Sequence, residues 1–213
     1  MYKSLLYLPL VLICLILFSC GDHNLEKRLL FDGKSFKGWE GDTLSTWKIQ
    51  DSMLVGGSLD QTVPHNDFLV TDRPYTNFIL TFEIKLTGDE GFINSGLQFH
   101  SERLTDPAYE MAGYQADWGE GFWASLYDES RRNKTLAAPD SVQVLQWIKK
   151  NDWNNYKIHT ENGRIQLFIN GHQTVDYTEL DPAIPQLGLI GLQIHGGGKA
   201  QVAFRNIFIE ELP

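Results

Sequence analysis

The chain has 213 residues, enough for one domain that buries an adequate core without disulfide or metal staples. Its 42% apolar, 12% aromatic and 21% charged content excludes disordered, collagen-like and coiled-coil classes. A formal charge of −9 excludes a nucleic-acid binder, which needs Lys and Arg to displace counterions from phosphates.

The N-terminus opens on one cation, Lys3, and an apolar run from Leu5 to Phe18. That run is shorter than the roughly 20 residues a membrane span needs and fits a secretory signal. Leu17-Phe18-Ser19-Cys20 resembles a bacterial lipobox, so residues 1–19 read as a lipoprotein signal peptide with Cys20 as the lipidated residue. Residues 20–28 then form a lipidated tether, and 29–213 a single domain held at the cell envelope, on its periplasmic or surface side. Cys14 leaves with the signal and Cys20 becomes a thioether, so no disulfide forms.

Short runs rich in Val, Ile, Phe, Tyr and Leu follow, separated by Gly, Pro, Asn and Asp. They predict strands near 47–50, 53–56, 68–71, 77–85, 91–100, 113–117 and 123–127, and again near 156–161, 164–169, 173–176, 189–195 and 201–210. Asn162-Gly163 and Asn170-Gly171 each sit between two such runs, a strong hairpin signal. One helix is expected from Pro139-Asp140 towards Lys149-Lys150, with Val142, Leu145 and Ile148 as its apolar stripe. A dozen short strands and one short helix indicate an all-β sandwich or jelly roll.

Residues i and i+2 of a strand share a face. Gln98 and His100 therefore oppose Leu97 and Phe99, alongside Asn94. Gln115 and Asp117 share a face, as do Gln193 and His195, and Ser125, Tyr127 and Glu129 oppose Leu126. A solvated β face is usually Thr, Lys, Glu and Ser. Four strands bearing amides, imidazoles and carboxylates instead suit sugar hydroxyls, which both donate and accept. Trp118, Phe122 and Trp123 flank two glycines after the Gln-Ala-Asp run and offer a stacking platform for a pyranose C–H face. Trp39, Trp47 and Trp153 read as core.

These residues resemble the 3-keto-disaccharide hydrolase domain family, also known as DUF1080. The resemblance rests on Leu30-Phe31-Asp32-Gly33, Gly38-Trp39, Trp47-Lys48-Ile49, Asn94-Ser95-Gly96 and Gly113-Tyr114-Gln115-Ala116-Asp117. It continues through Tyr127-Asp128-Glu129 with Arg132, Asp152-Trp153-Asn154, Ile169-Asn170-Gly171, Gly191-Leu192-Gln193-Ile194-His195 and Phe204-Arg205-Asn206-Ile207. His100 departs from the Arg that many relatives carry. The resemblance implies a concanavalin-A-like jelly roll that cleaves 3-keto-glycosides by removing the C2 proton, expelling the C1 substituent and adding water. It implies His195 and Glu129 as base and acid, with Asp117 either tuning the histidine or binding a divalent cation; no other cofactor is evident. Gln98, Gln115, Tyr127 and Arg132 would hold hydroxyls, with Asn94, His100, Trp118 and Gln193 completing the substrate contacts. A separate sugar 3-dehydrogenase must supply the ketone, since no dinucleotide fingerprint is present. The laminarinase pattern Glu-x-Asp-x-x-Glu is absent. The alternative is a non-catalytic carbohydrate-binding lipoprotein using the same amides and aromatics.

Overall fold

A computed structural model describes residues 26–213, so the expected signal peptide and Cys20 lie outside the described residues. The first strands are β1 (Arg28–Leu29), β2 (Trp39–Glu40), β3 (Trp47–Gln50), β4 (Met53–Gly57) and β5 (Asp67–Thr71). Three longer ones follow: β6 (Phe78–Gly91), β7 (Asn94–Arg103) and β8 (Met111–Gly119). After β9 (Leu126–Glu129), β10 (Lys134–Ala137) and helix α1 (Ser141–Val144) come β11 (Asn154–Glu161), β12 (Arg164–Ile169) and β13 (His172–Thr178). The chain ends with β14 (Leu189–Ile194) and β15 (Gly198–Glu211).

The strands form two antiparallel sheets stacked as a sandwich. One has the order β13-β12-β11-β6-β15-β4-β3, with β1 also on β15; the other has the order β10-β9-β8-β7-β14-β5-β2. Strict alternation builds the core. Phe78, Leu80, Phe82 and Ile84 of β6 point inward, as do Ile165, Leu167 and Ile169 of β12, against Leu97 and Phe99 of β7 and Leu192 and Ile194 of β14. Both Asn-Gly turns form as expected, with Asn162, Gly163, Asn170 and Gly171 all at φ between 49° and 88°.

The sheets differ in their outer faces. Along β6 buried and half-exposed residues alternate, whereas β7 and β8 are buried on both sides over most of their length. The outer face of the second sheet is therefore lined rather than solvated. Phe68, Val70 and Met111 form a small apolar cluster of their own on it.

The helix is shorter than its sequence stripe suggests. Asp140 caps it by accepting from the Val142 and Gln143 amides, and it is helical only from Ser141 to Val144. Val144 is the residue buried beneath it, while Val142 and Leu145 are 68% and 49% exposed. Trp39 and Trp47 are core, but Trp153 is only half-buried, with Lys85 and Arg205 over its ring.

Candidate active site

Strand register decides which polar side chains meet. Gln98 pairs with Gln115 and Gln115 with Tyr127, so the three form one row across β7, β8 and β9. The adjacent row runs Asp117, Gly96, Gln193. Gly96 leaves room for its neighbour: a Cβ there would sit 2.9 Å from Gln115 Cγ. Asn94, Gln115, Asp117, Tyr127, Glu129 and His195 line one cleft of ≈ 160 Å³, rimmed by Phe92 and Phe122. His195, Glu129 and Asp117 are thus brought together from three strand ends. A larger hollow (≈ 550 Å³) lies on the opposite sheet, but the one carboxylate among its lining residues, Glu83, is tied to Arg205 and Asn206. Volume does not choose the site; the convergence of titratable groups does.

An amide relay orients the cleft. Ser101 Oγ donates to Gln98 Oε1 (2.7 Å), and Gln98 Nε2 donates to Gln115 Oε1 (3.0 Å). Gln115 is left with its Nε2 donor on the cleft side, beside Asp117. Asn94 is the second organiser. Its Nδ2 donates to Asp117 Oδ1 (2.9 Å), its carbonyl accepts from the His195 amide (3.1 Å), and the Trp118 amide also reaches Asp117 Oδ1 (2.9 Å). Gly119 makes space for it, since a Cβ there would stand 2.6 Å from Asn94 Nδ2.

Burial is the largest influence on both cleft carboxyls. It pushes Asp117 up to about 7 against the pull of Asn94 and the Trp118 amide, with the Glu129 charge adding to the rise. Glu129 is likewise pushed up to about 7 by burial and then by repulsion from Glu110. Both are therefore close to half-protonated near neutrality. His195 Nδ1 lies 2.7 Å from the Gly196 carbonyl, an acceptor, so Nδ1 carries the hydrogen and the lone pair of the neutral ring is on Nε2. Gly196, not Asp117, fixes the histidine tautomer. Phe92 packs edge-on against the imidazole at 4.6 Å.

Several expected contacts lie elsewhere. His100 sits at a bulge with φ 46°, where the two-residue alternation breaks. Its ring turns inward among Phe78, Phe99 and Tyr114, Nε2 meets the Thr76 carbonyl at 2.6 Å, and burial lowers its pKa to about 4. Trp118 is 2% exposed and packs on Trp123 and Tyr156 in the core, so it is not a stacking platform; Phe92 and Phe122 hold the rim instead. Arg132 is turned away too. Asp128, inward-facing beside Leu126, binds Arg131 and Arg132, and Arg132 Nη2 reaches Glu179 Oε2 at 2.7 Å. Glu179 also accepts from Tyr114 and Tyr177, making a brace between the sheets. Gln193 is fully buried, neither of its amide atoms has a partner among the described residues, and it does not line the cleft.

The sequence reading missed Glu110, Asn66 and Phe92, which come from loops and strand ends where no alternation marks them. Asn66 Nδ2 donates to Glu110 Oε1 (2.8 Å) while Asn66 Oδ1 accepts from the Gly196 amide (3.1 Å), tying Glu110 to the His195 turn. Burial raises the Glu110 pKa, and its Oε2 has no partner among the described residues. Among the described residues no three His, Cys, Asp or Glu side chains converge as metal ligands would.

A model of the 3-keto-alpha-glucoside-1,2-lyase-like domain matches residues 26–210. The chain belongs to this family. Its fold is similar to that of a candidate glycosyl hydrolase from Parabacteroides distasonis ATCC 8503, with TM-score 0.64 and 19% identity over 88% of this chain and 94% of that one. It is also similar to the carbohydrate-binding module CBM66 from Bacillus subtilis, with TM-score 0.62 and 18% identity over 82% and 96% of the two chains. A Bacillus subtilis protein of galectin-like fold aligns with TM-score 0.52 and 13% identity over 88% and 97%. At such identities these likenesses establish the jelly-roll fold that the family shares with galectins. No protein of curated function matches the chain.

Proposed function

We propose that this cleft cleaves glycosides whose sugar carries a ketone at C3. The observation that carries the reading is the meeting, in one small cleft, of two carboxyls raised to about 7 with a histidine whose Nε2 lone pair is free. A C3 carbonyl acidifies the C2–H. His195 Nε2 takes that proton, and the C2–H electrons form the C2=C3 enolate. Protonated Asp117 and Gln115 Nε2 donate to the C3 oxygen, the role of a neutral carboxylic acid in a low-polarity site. The enolate re-forms the C3 carbonyl as the C1–O bond breaks, leaving a C1=C2 enone. Glu129 gives its proton to the departing oxygen. Water adds at C1, a proton returns to C2, and the 3-keto sugar is released.

A binding module needs neither a protonated carboxyl nor a free imidazole, and the family's lyase-like name supports the catalytic reading. The ketone comes from a sugar 3-dehydrogenation in another protein, and lipidation at Cys20 holds the domain at the cell envelope.

Incubation with a 3-keto glucoside in heavy water tests this. Cleavage with deuterium entering at C2 is expected, and Glu129→Gln and His195→Ala should each lower kcat by about 10²-fold or more. Full turnover in both variants, or binding of unoxidised sugar with no cleavage of the 3-keto form, overturns it.

A further inference from the structure

Phe122 is a wall shared by two hollows. On one side is the 160 Å³ cleft; on the other a second hollow of ≈ 460 Å³ opens between the loop after β8 and helix α1. Phe122, Trp123, Pro139, Val142 and Leu145 make its surface largely apolar.

Two features set this hollow apart from ordinary surface. Val142 and Leu145 stand on one turn whose packing is already complete without them, because Val144 is buried beneath the helix and Trp147 and Ile148 pack on the core. Two large aliphatic side chains are thus held against water on a segment fixed by the Asp140 cap. Second, Trp123 Nε1 is shielded from solvent and has no acceptor among the described residues. So shielded, the indole N–H offers the hollow no donor, and Trp123 adds only apolar surface to its wall.

We propose that this hollow receives the aglycone, and that the aglycone is aromatic rather than a second sugar. The chemical part of this inference rests on the proposed cleavage; the binding part does not. A substituent leaving C1 of a sugar in the cleft passes Phe122 to enter the hollow. A second sugar there would meet aliphatic carbon with few donors: Ser125 Oγ is already bonded to the Phe122 carbonyl, which leaves Glu120 and Ser141 as the polar side chains of the wall. An aryl ring instead buries the exposed faces of Val142 and Leu145 against Phe122.

The test uses the full chain and two unoxidised ligands, 4-nitrophenyl glucoside and methyl glucoside, by calorimetry. The aryl compound should bind about tenfold more tightly or better, the effect of burying one ring face. Leu145→Asp and Val142→Asp should each erase most of that difference and leave methyl glucoside binding unchanged. Both positions are exposed, and an unchanged Tm verifies that the fold is kept. With the oxidised ligands, the same variants should raise KM for the aryl 3-keto glucoside about tenfold. KM is the quantity to read, because a phenol leaves more readily whatever the hollow does. Equal affinity for the two glucosides, or a preference for a disaccharide that survives both variants, overturns the inference. Aryl selectivity that depends on Val142 and Leu145, without cleavage of any 3-keto glycoside, supports the hollow and counts against the cleavage reading.

Discussion

Asp117 offers the sharpest test of the site's electrostatics. It is 4% exposed and raised from 3.8 to about 7 by burial. A group whose folded pKa lies above its unfolded value stabilises the fold fully only below the unfolded pKa. That contribution is lost as pH rises from about 4 through 7. The rise of roughly three pH units corresponds to about 4 kcal/mol lost from the folded state above neutrality. Asp117→Asn removes the charge and keeps Oδ1 as acceptor for Asn94 and the Trp118 amide. It places a second donor opposite Gln115 Nε2, which takes back about 1 kcal/mol. The variant should therefore be more stable than the parent at pH 8 by about 2–3 kcal/mol, or roughly 5–10 °C in Tm for a chain this size. At pH 4 the two should melt together, or the variant slightly lower. Thermal melts at both pH values decide it, alongside a loss of turnover. A Tm difference that does not change between pH 4 and pH 8 refutes the assignment of a raised, buried carboxyl at this position.

Glu110→Gln removes a like charge from Glu129, so the Glu129 pKa should fall, and the high-pH limb of the kcat profile should move to lower pH. Carboxyl carbon NMR titration of Glu129 in the two proteins checks this directly, against the remaining charges of Asp128 and Asp117 and the Ser130 amide. Trp118→Ala should cost about 3–5 kcal/mol of stability, as core truncations do, whereas Phe92→Ala, at a 41% exposed position, should leave Tm nearly unchanged and weaken glycoside binding severalfold. Denaturant melts and calorimetry with a glucoside separate the two.

The fold was legible because its rules are local. Period-two alternation marks β6, β11 and β12, and the Asn-Gly pairs fix two hairpins with residues that tolerate positive φ. The same alternation located the cleft face through Gln115 with Asp117 and Tyr127 with Glu129. It failed where the backbone departs from it: the bulge at His100 reverses that side chain. Trp118 misled for another reason. In a strand buried on both faces, glycine-rich flanks do not imply exposure, and Trp118 took the inward side. Val142 and Leu145 fit a three-residue period, yet the helix ends after one turn and buries Val144 instead. Glu110, Asn66 and Phe92 come from loops and turns, whose side-chain directions no periodicity sets.

The fate of Arg131 and Arg132 explains why the cleft can hold neutral carboxyls at all. Both follow Glu129 within three residues, and a guanidinium beside that carboxyl would hold it in the ordinary acidic range. The alternation of β9 sends Asp128 to the inner side instead, where it takes both arginines, and Glu179 from the other sheet takes the free edge of Arg132. Among the described residues lining the cleft none is lysine or arginine. With these cations held on the far side of the strand, the repulsion from Glu110 and the loss of water act on Glu129 with no lysine or arginine of the cleft, among the described residues, to oppose them. The Asp128 brace that ties the sheets together is therefore also what leaves Glu129 with a proton to give near neutral pH.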